Sequence, residues 1–206
     1  FISTWNNGLM ELNWSDENTS YEKTAQYDHL NTNGHLATLS SDTNSSIYGW
    51  IRVKSIVFDD SGNLWGANSQ VNNPLFVRKN NGDWYSFSFT SANTTNTHLG
   101  DVVIDNIGQK WVVVPGGIGL VVFNDNNTIE EVQDDQDRVV NSSLGSGNLP
   151  STSVYSLGKD RDGEIWVGTN KGVAVFYSPE NVFSGNDFDA QQILVEVDGY
   201  VEYLLA

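Results

Sequence analysis

The chain has 206 residues, 38% of them apolar, and carries 10 Lys and Arg against 26 Asp and Glu for a formal charge of −16. That much apolar material can bury a core in one or two compact units, while the acidic balance argues against phosphate backbones and polybasic membrane anchoring, so nucleic acid is not an expected partner. The absence of cysteine excludes thiol catalysis, disulfides and Cys-based zinc sites. No run of 18 apolar residues offers a membrane helix and no leader is legible, so a chain that starts at Phe1 within a strand-like segment reads as a piece of a longer protein.

Asn, Ser, Thr and Gly are abundant, and apolar residues come in short β-branched and aromatic bursts: SIVF, WVVV, GLVVF and GVAVF. The expected class is all-β. In chain order, Asn7-Gly8-Leu9-Met10-Glu11-Leu12 has the pattern of Lys171-Gly172-Val173-Ala174-Val175-Phe176 farther on, so the chain opens partway through a repeating unit. Residues 13–46 follow, polar and weakly periodic, and predict an outer strand with a long loop.

Next comes Asp59-Asp-Ser-Gly62-Asn-Leu-Trp65, which recurs as Asp105-Asn-Ile-Gly108-Gln-Lys-Trp111 and Asp160-Arg-Asp-Gly163-Glu-Ile-Trp166. Each copy follows an apolar run and precedes a Gly, Asn or Pro cluster and a third run: PLFV, GLVVF or GVAVF. The first copy adds WYSFSF after an Asn-Gly turn at Asn81 and Gly82. Four antiparallel strands every 40 to 50 residues, roughly, is the signature of a β-propeller blade. The expected organisation is a partial blade at about 1–45 and full blades at about 46–97, 98–150 and 151–206. The last takes QQILVEVDG and YVEYLLA as its outer edge. Closed propellers have about four to eight blades. The chain is therefore either a fragment of a larger ring, the favoured reading, or a ring whose partial blade is completed by the C-terminal strand. A second polar connection spans residues 125–153.

The motif explains itself by structure. Asp at the first turn position accepts backbone N–H bonds, Gly three residues on takes the positive φ that closes the hairpin, and Trp packs between blades. A calcium loop at Asp160 and Asp162 falls one ligand short and has Lys171 where a bidentate Glu belongs. The acidic run holding Glu130, Glu131, Asp134, Asp135 and Asp137 reads as a solvated loop, and His29, His35 and His98 as surface residues without zinc spacing. No Gly-x-Ser-x-Gly elbow occurs, and no carboxylate pair stands out in so acidic a chain. No cofactor, metal or catalytic residue is expected. The Asn-x-Ser/Thr triplets at Asn18 and Asn141 match a eukaryotic glycan acceptor. Aromatic residues in or beside the long polar stretch, Trp14, Tyr21, Tyr27, Tyr48 and Trp50, are candidates for stacking on sugar rings, with Trp14, Tyr48 and Trp50 foremost; blade packing is the competing role.

The stretch NLPSTSVYSLGKDRDGEIWVGTNKGVAVF resembles the two-component-regulator propeller repeat, whereas Trp65 and Trp111 are followed by Gly-Ala-Asn and Val-Val-Val-Pro in place of an apolar residue and Gly-Thr. More narrowly, FISTWNNGL, NGDW, QKWVV, GLVVFN and GTNKGVAVFYSPENVFSGNDFDAQQILVEVDG followed by LLA are similar to the N-terminal half of PorZ-like proteins of the Bacteroidetes type IX secretion system. This resemblance covers nearly the whole chain, apart from the long polar insertion. It implies a non-enzymatic, exported, cell-surface protein at the outer membrane, with two propellers and a sorting domain. It also implies partners in a sortase-like complex to which anionic lipopolysaccharide is delivered. The alternative is a periplasmic, glycan-sensing propeller of a hybrid two-component system. An enzyme would instead require carboxylates, Tyr or His converging at a central channel.

Overall fold

The computed structural model describes residues 1–185 and 187–205, with residue 197 described by its backbone alone. Among the described residues it is all β apart from one 3₁₀ turn, Pro179–Phe183. Strands β1 (Ile2–Ser3), β2 (Leu9–Ser15) and β3 (Ser20–Tyr27) form a three-stranded antiparallel sheet. β4 (Val53–Phe58), β5 (Leu64–Asn68), β6 (Leu75–Arg78) and β7 (Trp84–Phe87) form a four-stranded meander. Two more meanders follow: β8 (Val102–Ile104), β9 (Lys110–Val114), β10 (Gly119–Asn124) and β11 (Gln136–Val140), then β12 (Val154–Lys159), β13 (Ile165–Thr169), β14 (Gly172–Phe176) and β15 (Gln191–Gln192). These up-and-down, four-stranded sheets are propeller blades.

Two features of the chain differ from the sequence reading. The stretch at residues 191–205 does not run as one outer edge. Gln191 and Gln192 register against Val175 and Ala174, and Val173 on the same edge exchanges backbone bonds with Ile193 and Leu204, whereas β16 (Leu194–Val197) and β17 (Tyr200–Tyr203) pair with each other in a two-stranded sheet of their own. Asp198-Gly199, with both residues at positive φ as a two-residue hairpin turn requires, closes that hairpin. The polar connection at 125–153 also holds a strand, β11, whose Arg138-Val139-Val140 face Val122, Val121 and Leu120.

The chain divides into two compact units: residues 1–88 with 94–96, and residues 89–93 with the chain from 97 onward. In the first, Leu9, Leu36, Ile51, Val53, Leu64 and Phe76 make the core. In the second, alternate residues of β9, β10, β13 and β14 (Trp111 and Val113, Leu120 and Val122, Ile165 and Val167, Ala174 and Phe176) bring two sheets face to face. The period of two along each strand is what places them on one side. Every residue of β9 is buried, on both faces, which is why its sequence reads as a near-continuous apolar run.

Candidate functional site

The repeated hairpin dominates the sequence. In all three copies one Asp oxygen accepts two backbone N–H bonds across the turn: from Ser61 and Asn63 to Asp59, from Ile107 and Gln109 to Asp105, and from Asp162 and Glu164 to Asp160. The other oxygen accepts the indole N–H of the Trp six residues on, at 2.9 Å each time. Gly62, Gly108 and Gly163 sit at φ 78°, 90° and 94°, a region open to glycine and strained for most other residues. Asp and Trp are thus one hydrogen-bonded unit, a link the spacing alone does not reveal.

Burial separates the copies. Burial raises Asp59, but the bonds from Asn63 and Trp65 outweigh it and leave its pKa lowered. The Trp166 indole leads the lowering of Asp160. At Asp105 burial wins, and the pKa is raised despite Trp111, Gln109 and Ile107. The Gln109 amide, turned so that its nitrogen faces acceptors, donates to Asp105 Oδ2 at 2.8 Å and to the Pro179 carbonyl at 3.2 Å. With both its oxygens occupied, Asp160 has a turn-closing role and no group of three or more metal-ligating residues occurs among the described residues.

The aromatic candidates are spread over strands and loops. Trp14 lies on β2 and Tyr21 and Tyr27 on β3, so these three belong to strands. Tyr27 is half-buried: its ring lies 6.2 Å from Phe1 and 5.2 Å from Trp84, and its hydroxyl donates to Glu11 at 2.6 Å. Tyr48 is half-buried and faces His29, with 3.3 Å between its hydroxyl and Nε2. His35 is also half-buried, 3.1 Å from Ser86 Oγ, and burial lowers its pKa; only His98 is an exposed histidine.

Trp50 is the candidate with chemistry around it. The Arg52 guanidinium carbon stands 5.8 Å from the Trp50 ring centroid and 5.3 Å from that of Trp5, so one cation serves two indoles. Both rings remain open to solvent, Trp5 at 45% and Trp50 at 37%. The fold builds this arrangement by running residues 4–7 beside residues 51–53. Ile51 N–H donates to the Asn6 carbonyl, Val53 N–H to that of Thr4, and Asn7 bridges Ile51 in parallel. Arg52 Nη1 donates to Gln70 Oε1, which steadies the head group, while its Nε is buried with no hydrogen-bond partner among the described residues. Two exposed aromatic faces around a fixed guanidinium suit a ligand with an apolar ring face and an anionic substituent. Sequence reasoning names Trp50 among its candidates but neither Trp5 nor Arg52; the available signal was an Arg two residues from a Trp in a chain with few cations.

The acidic run is not a uniformly solvated loop. Asp137 accepts from Thr90 N–H at 2.9 Å, Thr90 Oγ1 at 2.5 Å and Ser91 N–H at 2.7 Å, and from Ser91 Oγ. Burial raises its pKa, but the Ser91 and Thr90 bonds more than reverse that. Asp135 is the opposite case. Its Oδ1 is buried with no hydrogen-bond partner among the described residues, and burial, then Asp125 and Asp134, push its pKa up from 3.8 to about 6. A carboxyl whose folded pKa exceeds its unfolded value contributes stability at low pH that disappears as pH rises through the folded pKa. Asp135→Asn should therefore stabilise the protein by no more than about 1 kcal/mol near neutral pH, after screening of a partly exposed group, and by nothing near pH 4. Urea midpoints at the two pH values check this.

No curated protein matches the sequence. The family model for the two component regulator propeller matches residues 148–171. Among solved structures, PorZ, a bacterial surface component of the type IX secretion system of Porphyromonas gingivalis, is 27% identical, with a TM-score of 0.77 over 98% of this chain and 26% of that one. The extracellular domain assigned to the hybrid two component system BT3049 of B. thetaiotaomicron is 18% identical, covering 95% of this chain and 27% of that one with a TM-score of 0.48. Virginiamycin B lyase from Staphylococcus aureus is 10% identical over 71% of this chain and 42% of that one, with a TM-score of 0.47. The resemblance to PorZ-like proteins and to the regulator propeller repeat, and the β-propeller class, are borne out. The chain spans about a quarter of the PorZ chain it matches.

Proposed function

We propose that this chain is a non-catalytic binding and assembly module of an exported, cell-surface component of a type IX secretion system, and that it takes part in presenting anionic lipopolysaccharide to a sortase complex. The likeness to PorZ supports the setting. The observation that carries the ligand class is the Arg52 guanidinium between Trp5 and Trp50. In a chain of charge −16 an anionic glycan is repelled by most of the surface, so a site for one needs a local cation held in place and a platform for the sugar ring. This cluster has both.

The alternative, a periplasmic glycan-sensing propeller of a hybrid two-component system, shares the repeat at residues 148–171; if its glycan were neutral, the site would need no guanidinium. Titration with anionic lipopolysaccharide from the parent cell envelope should give binding that falls at least about tenfold in Arg52→Ala and by a similar factor in Trp50→Ala. The same titration with a neutral glucan should be weak and insensitive to Arg52→Ala. If lipopolysaccharide binds both variants as it binds the unaltered protein, the Arg52 cluster is not its site.

A further inference from the structure

The β2–β3 pair extends well past its sheet. β1 registers only with Leu9 and Met10, so residues 11–15 and 20–25 project as a two-stranded ribbon, with β3 at the open edge of the sheet order β1-β2-β3. A ribbon of two strands is marginal on its own, and cross-strand aromatic pairs help to hold it. Trp14 and Tyr21 are such a pair: directly opposite in register, ring centroids 5.3 Å apart, edge to face. Ribbon stability accounts for the pairing but not for the exposure, since 54% of Trp14 and 69% of Tyr21 remain in water where Thr or Val would pair at lower solvent cost.

The surroundings say what such a pair can hold. The Trp14 indole N–H donates to Asp16 Oδ1 at 2.9 Å, which fixes the ring's orientation and sets a carboxylate beside it. Asp16, Glu17 and Glu22 are all exposed at this end of the ribbon, and Lys23, the one cation of residues 11–27, donates to Gln26 Oε1. Aromatic faces ringed by carboxylates favour a cation, and a guanidinium meets both at once, stacking on the ring and bonding the carboxylate. Anionic lipid, nucleic acid and anionic glycan are repelled by the same groups, and a second copy would set its own carboxylates against these.

We propose that the β2–β3 ribbon is a docking surface for an arginine-bearing segment of a protein partner, with the guanidinium on the Trp14–Tyr21 pair and its N–H groups toward Asp16 and Glu22. The surface is independent of the Arg52 cluster and of its ligand. The test uses the isotope-labelled chain and a synthetic extended peptide, Ac-Thr-Arg-Thr-Arg-Thr-amide, against the same peptide with citrulline for arginine. The Trp14 indole N–H resonance and the amides of residues 20–25 should shift saturably with the arginine peptide. The citrulline peptide should bind at least about tenfold more weakly, and Trp14→Ala should abolish the shifts while leaving resonances elsewhere in place. Equal binding of the citrulline peptide, shifts that persist in Trp14→Ala, or no shift in residues 11–27 would each overturn the proposal. So would equal or larger shifts with vesicles of anionic phospholipid, which would make the ribbon a membrane contact.

Discussion

Trp111→Ala is expected to destabilise the unit from residue 97 onward by about 3 to 5 kcal/mol, the range for deleting a large aromatic side chain from a packed interior. Trp111 is fully buried, and its ring lies 4.9 Å from Phe176 on the facing sheet. Its indole also satisfies Asp105, which is itself only 4% exposed. The substitution therefore leaves a cavity and removes one donor from a buried acceptor. Trp166→Ala removes the same bond from Asp160, but Trp166 is half-buried and Asp160 exposed enough for water to replace the indole, so its cost should be about 1 to 2 kcal/mol. Trp111→Phe should fall between the two. Urea unfolding followed by far-ultraviolet circular dichroism measures all three; equal costs at Trp111 and Trp166 would mean that the hairpin bond, and not burial, sets the energetics.

That contrast shows how far the sequence could be read. Strand periodicity and the Asp-x-x-Gly-x-x-Trp spacing are local properties, and they were enough for the meanders around Trp65, Trp111 and Trp166 because each hairpin closes through its own Asp and Gly. The bond from the indole to the same Asp was not legible, since it depends on the twist that brings a side chain on the second strand back over the turn. Nor was the Arg52 cluster, whose Trp5 and Trp50 are separated by 45 positions and meet only because residues 4–7 run beside residues 51–53. Trp14 is named from the sequence only as lying in or beside a polar stretch; that it stands on a ribbon directly opposite Tyr21, while Tyr48 meets His29, depends on a register the sequence does not spell out. Ligand sites in such a fold gather residues from distant strands and loops, and a repeat pattern carries no information about which non-repeating residues converge.

Lys110→Leu should be the other severe change, and the repeat itself says why. In the other two copies the residue before Trp is Leu64 or Ile165, both buried; in the middle copy it is Lys110, with 3% of its side chain exposed. Its charge is carried into the interior to meet Asp125, Nζ to Oδ1 at 2.6 Å, and the partner is equally buried. Replacing Lys110 by the leucine that suits the repeat leaves Asp125 without its partner, at a cost of about 3 to 5 kcal/mol, whereas Lys110→Leu with Asp125→Ala should recover most of that loss, because desolvation of both charges is relieved together. The double-mutant cycle should give a coupling of about 2 kcal/mol or more; simple additivity would show that the pair does not act as a unit. The pH dependence supplies a second readout. The Lys110 charge holds Asp135 down against burial, Asp125 and Asp134, so its removal moves the Asp135 pKa above about 6. A folded pKa raised further binds its proton more tightly than the unfolded chain, so the penalty of Lys110→Leu should shrink as pH falls from neutrality towards about 5. A penalty that does not change across that interval would indicate that Lys110 acts through packing of its aliphatic stem alone.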